Sequence, residues 1–178
     1  TILVMAVYPI YKSRHAGANP EAAQETPVPQ SEKYSWDWFQ QPDAQPVEGQ
    51  AHIELTTAER PLMLTESENE EKPYLWSILL FAQETNGVSF TMEKVTEVYF
   101  NNEKLPMQTT EMTANEIEWY WYSTRLEAGG MTSYATDRPA DGGIGYGVAV
   151  EGKDDNGNEL TFKLYIPLSG EIRPKLTP

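Results

Sequence analysis

Between Ala51 and Ile166 apolar and polar residues alternate with a period of two. Ala51, Ile53 and Leu55 take turns with His52 and Glu54. Trp76, Ile78 and Leu80 do so with Ser77 and Leu79, and Val88, Phe90 and Met92 with Ser89 and Thr91. Leu62 and Leu64 flank Met63, and Val98 and Phe100 lead to a turn at Asn101-Asn102. Ile117, Trp119 and Trp121 alternate with Glu118, Tyr120 and Tyr122, and Val148 and Val150 follow a Gly-rich stretch. The last run is the most regular, with Leu160, Phe162, Leu164 and Ile166 on one side and Thr161, Lys163 and Tyr165 on the other. Successive side chains of a strand point to opposite faces, so each run predicts a strand with one buried face. Asn86-Gly87 and Asn156-Gly157 both lie between such runs, a strong short-range signal for a tight β-hairpin. About seven to nine short strands without a helical stretch predict an all-β antiparallel sandwich. Residues 127–133 read as a tight corner before an irregular stretch at 137–147.

The folded domain is expected over residues 32–173. Before it, residues 16–31 carry three prolines and little that packs, the signature of a linker. Residues 174–178 form a short tail closed by Pro174 and Pro178.

The order of Trp76, Glu84-Thr85-Asn86-Gly87-Val88, Leu126-Glu127-Ala128-Gly129-Gly130, Asp154-Asp155-Asn156-Gly157-Asn158 and Leu160 to Leu168 resembles bacterial secreted immunoglobulin-like sandwich modules. The likeness rests on turn chemistry, so it speaks to fold rather than activity. It implies an immunoglobulin-like sandwich that works as an adhesive, sugar-binding or spacer domain of a secreted or surface protein. The Cys-Trp-Cys pattern of antibody domains is absent.

Composition narrows the function classes. A formal net charge of -14, from 27 acidic and 13 basic residues, repels polyanions, which excludes nucleic acid as the expected partner. The absence of cysteine removes disulfides, thiolate metal sites and cysteine nucleophiles together. An extracellular or cell-surface location is the expectation.

The N-terminal run from Ile2 to Tyr11 is apolar throughout and too short to span a bilayer. It reads as a buried strand, as the end of a signal peptide or anchor beginning upstream of Thr1, or as an assembly segment. Its lead into Pro9-Ile10-Tyr11 resembles the end of a type IV pilin N-terminal helix, although the prolines that follow break that pattern. In the assembly reading, Ile2, Val4, Val7 and Ile10 add to an open sheet edge of a neighbouring copy, giving a pilus- or filament-type subunit.

Little in the chain points to catalysis, and no enzyme activity is expected. The two histidines are His15, near the N-terminus, and His52, on the polar side of a strand; neither sits in a nucleophile motif. The glycines at 142–147 lack the residues of a phosphate loop. Asp154, Asp155, Asn156 and Asn158 place several oxygen ligands in one turn, the type of donor a calcium ion takes, but the spacing of a calcium-binding loop fails and the same residues favour turns. Aromatic rings are the better candidates. Trp36, Trp38, Tyr120 and Tyr122 would stack on sugar rings or anchor a protein partner if exposed. The expected function is therefore a non-enzymatic binding or adhesion module for a protein or glycan partner.

Overall fold

A computed structural model describes residues 33–173. The expectations for Ile2, Val4, Val7 and Ile10, for the linker and for the tail lie outside the described residues. In chain order the elements are α1 (Trp36–Gln40), β1 (Ile53–Thr57), β2 (Leu62–Glu66), β3 (Tyr74–Glu84), β4 (Phe90–Phe100) and β5 (Pro106–Met112). They continue with α2 (Ala114–Tyr120), β6 (Arg125–Leu126), β7 (Met131–Pro139), β8 (Gly145–Asp154) and β9 (Glu159–Ile172). The strands form one hydrogen-bonded path, β1-β3-β2-β9-β8-β4-β5, with β7 paired to β3 and β6 to β4.

Among the described residues the protein is all-β apart from two short helices. The expected purely antiparallel arrangement gives way at β2 and β9, which run parallel with Leu62 opposite Leu168 and Leu64 opposite Ile172. The cause is the length of β9. Its 14 residues pair with β8 as far as Pro167 and then continue alongside β2, so one strand joins both halves of the molecule.

The period-two pattern sets the main core. Trp76, Ile78, Leu80 and Ala82 of β3 are buried with Phe90, Met92 and Val95 of β4, Val148 and Val150 of β8, and Phe162 and Ile166 of β9. The Trp76 indole N–H donates to the Ser169 carbonyl at 3.2 Å, which satisfies its one polar group.

Strand β4 departs from its sequence pattern because its register with β8 slips between Met92 and Lys94. One irregular step exchanges the faces of all later residues. Val95 and Tyr99 therefore join the main core. Val98 and Phe100, which share the parity of Phe90 and Met92, pack instead with Phe39 and Ala149 on the opposite face, under α1. Glycines make that second face possible. A Cβ on Gly147 would lie 2.6 Å from the Phe39 ring, and one on Gly145 would collide with the Tyr165 hydroxyl. The stretch expected to be irregular at 137–147 is thus mostly strand, with β7 reaching Pro139 and β8 starting at Gly145.

Asn156-Gly157 joins β8 to β9 as expected, with Lys153 opposite Glu159. Asn86-Gly87 does not make a hairpin. Strand β3 pairs with β1, β2 and β7, while β4 pairs with β5, β6 and β8, so this turn carries the chain across the core. Turn chemistry fixes local backbone, here φ +80° at Gly87, but not which strands become neighbours.

The expected strand at 117–122 is also overturned, because residues 114–120 form α2. The Glu116 carboxylate accepts from the Thr113 N–H and from Thr113 Oγ1, each at 2.8 Å, closing a capping box. Ile117 and Trp121, four residues apart, face the same way and are fully buried. Trp119, expected in the core, is turned to solvent.

Candidate binding site

At the C-terminal end of α2 and in the two residues that follow it, the buried and exposed aromatics are sharply divided. Trp121 has no accessible surface and stacks on Tyr134 of β7, with ring centroids 5.3 Å apart and planes at 23°. Thr132 Oγ1 donates to the Trp121 carbonyl, and the Thr124 N–H donates to Glu118 Oε2 at 2.9 Å. These contacts hold the helix end while Trp119 and Tyr122 stay 76% and 83% exposed. Tyr120 is 37% exposed and meets Tyr134 edge-on at 6.1 Å. Tyr122 has φ +61°, a left-handed conformation uncommon for a bulky residue. Met131, next to Thr132, is exposed as well. Covering two such rings contributes on the order of 5 kcal/mol of drive toward association before ordering costs.

The other aromatic pair serves the fold. Trp36 lies edge-on to Phe100 at 5.4 Å and to Tyr165 at 4.8 Å. Trp38 packs on Tyr34 and Phe39, with Lys163 Nζ 4.7 Å from its ring. Both are half-buried. The structure does not bring the two pairs into one core, since α1 covers Val98 and Phe100 while Ile117 and Trp121 of α2 enter the main cluster.

The oxygen-rich turn at 154–158 is brought together, but its buried carboxylate is already engaged. Asp154 accepts from the N–H groups of Ala51, Asn156 and Asn158 and from the Asn158 side chain. Burial pushes its carboxyl up, yet these donors outweigh it and the pKa falls below its ordinary value. Asp155 is paired through both oxygens with Arg125, and the Asn156 amide donates to the Gly49 carbonyl. Among the described residues no group of three or more His, Asp or Glu is placed to hold a metal ion.

A matching arrangement surrounds the first Asn-Gly turn, and sequence reasoning missed it. Glu84 is fully buried and accepts from the N–H groups of His52, Asn86, Gly87 and Gly129. Burial again pushes the carboxyl up and the four donors bring it below the ordinary value. A further buried carboxylate, Glu97, accepts from Arg138 and from the Tyr146 hydroxyl inside the main core. Burial and the Glu97 charge raise the Tyr146 pKa well above its usual value.

A concave site lies beside the end of α1. Its volume is about 180 Å³, and it is lined by Phe39, Gln40, Gln41, Asp43, Arg60 and Tyr165 among others. Burial pushes the Asp43 carboxyl up, against the charges of Lys163, His52 and Arg60. Asp43 and Arg60 had no sequence signal, because neither falls in a motif.

No family model and no curated protein matches the chain. Among solved structures, a putative ApaA protein from Bordetella pertussis is similar over 69% of this chain and 98% of its own, at 10% identity and a TM-score of 0.52. A second structural-genomics target is similar over 75% and 98%, at 9% identity and a TM-score of 0.49. A beta-glucosidase from Listeria innocua, solved in complex with glucose, is similar over 69% of this chain and 17% of that one, at 10% identity and a TM-score of 0.32. At such identities the first likeness concerns the fold alone. Among the described residues no helix is long and apolar enough to cross a membrane.

Proposed function

We propose that the protein is a non-enzymatic binding module with an immunoglobulin-like sandwich architecture, acting at a cell surface or outside the cell, and that it engages a protein partner through the aromatic end of α2. One observation carries this reading: Trp119, on α2, and Tyr122, just past its end, are largely exposed while Ile117 of the helix and Trp121 at its C-cap are locked in the core. Large rings held in fixed positions lose little conformational entropy on association, which is why such residues anchor interfaces. The test is retention of the full chain on arrays of surface proteins and of glycans, compared with Trp119→Ala/Tyr122→Ala at matched melting temperature. Protein-specific retention that falls about tenfold or more in the double variant supports the reading. Retention unchanged by the substitutions, or confined to glycans, overturns it.

A second reading, assembly into a filament, is favoured by β5 and β7, each of which pairs with a single strand among the described residues. Ile2, Val4, Val7 and Ile10 would then add to such an edge in a neighbouring copy. Mass in solution decides it: if the full chain and a version lacking residues 1–15 are both monomeric, assembly through this segment fails.

A further inference from the structure

We propose that the cleft beside α1 is a binding site for one neutral sugar ring, independent of the α2 surface. The cleft brings together groups of opposite charge that do not pair. Asp43 and Arg60 both line it and feel one another's charge, yet neither makes an ion pair or hydrogen bond with another described residue. The result is an open carboxylate acceptor and an open guanidinium donor facing a space of about 180 Å³, the scale of a single hexose. Lys163, the other cation of the wall, already donates to the Trp38 carbonyl and serves to hold α1 in place.

Adjacent hydroxyls of a pyranose are donors and acceptors a short distance apart. A carboxylate takes their protons while a planar guanidinium and the amides of Gln40 and Gln41 supply the complementary donors. The ring of Tyr165 gives the wall an apolar surface suited to the C–H face of a sugar. A ligand without net charge matches a cleft in which one carboxylate faces one guanidinium, and the chain as a whole, at -14, repels anions.

The test is a titration of the full chain with methyl glucoside, methyl galactoside and methyl N-acetylglucosaminide, followed by amide NMR shifts. At least one glycoside is expected to shift the side-chain amides of Gln40 and Gln41 and the backbone of Tyr165, with a dissociation constant of about 1 mM. Asp43→Asn and Arg60→Gln each should weaken it about tenfold at unchanged melting temperature, since both residues are exposed. Trp119→Ala/Tyr122→Ala should leave it intact, so failure of this site is separable from failure of the α2 reading. Absence of shifts in the cleft with all three glycosides overturns the proposal. So do shifts that survive both cleft variants, or shifts produced by free glutamine or glycine but by none of the sugars.

Discussion

The two Asn-Gly turns use the same chemistry for different ends. Glu84-Thr85-Asn86-Gly87 and Asp154-Asp155-Asn156-Gly157 each place a buried carboxylate two residues before the Asn, whose N–H it receives. In both, the glycine is left-handed, at φ +80° and +82°. The second closes an antiparallel hairpin, so ladder hydrogen bonds from Lys153 to Gly145 support it on both strands. The first joins strands that never pair, and its carboxylate does the work a ladder would do: it gathers donors from β1's approach, from its own turn and from Gly129. Identical local rules thus produce a turn that depends on its neighbours' pairing in one place and on one side chain in the other.

That contrast is broken most severely by Glu84→Ala. Four backbone N–H groups would lose their acceptor in a buried site, and we expect a loss of about 4 kcal/mol and a melting temperature about 10 °C lower. Asp154→Ala should cost about 2 kcal/mol, because the adjoining ladder still holds the hairpin. Thermal melts of both variants test the ranking, and equal losses would refute it. Acid should reveal the same asymmetry. Both carboxylates have folded pKa values below their ordinary 4.5 and 3.8, so their stabilisation is complete above those values and is lost as pH falls through the folded values. Between about pH 5 and 3 the wild type should lose stability more steeply than Glu84→Gln, with Asp154→Asn intermediate. The smallest effect belongs to the glycines. Gly87→Ala and Gly157→Ala both meet open space, so each should cost about 1 kcal/mol of backbone strain, equal in the two turns.

Where burial follows parity, the strands were legible. Leu160, Phe162 and Ile166 show this in β9, and Trp76, Ile78 and Leu80 in β3. Legibility failed where two physical signals coincide or where none is local. The residues from Ile117 to Trp121 fit both a period of two and an i, i+4 helical face, and their aromatics favour strands. The deciding signal, Thr113 with Glu116 three residues later, is present in the sequence, but a reading by alternation does not use it. The slip at Met92 and Lys94 has no marker in the residues themselves, so the exchange of faces that puts Val98 and Phe100 under α1 is not legible in the sequence. Trp36 and Trp38 read in the sequence as exposed binding rings, whereas their contacts with Phe100, Tyr165 and Phe39, two of which lie over Gly145 and Gly147, are long-range relations that neither segment announces alone. Asp43 and Arg60 face one cleft only because α1 docks on β9.

The contacts of residues 47–52 also impose an order of assembly. Asn86 donates to the carbonyls of Val47 and Gln50, Asn156 to that of Gly49, while Ala51 and His52 donate to Asp154 and Glu84. A segment near the start of the domain is therefore latched twice, by groups 32 to 39 residues downstream at the first turn and by groups 103 to 107 residues downstream at the second. The second set closes a longer loop than the first, and each doubling of loop length adds only about 0.6 kcal/mol of closure cost. During synthesis the Ala51 N–H and the Gly49 carbonyl can meet their partners only once Asp154 and Asn156 have left the ribosome, long after Glu84 and Asn86 are available to the same segment.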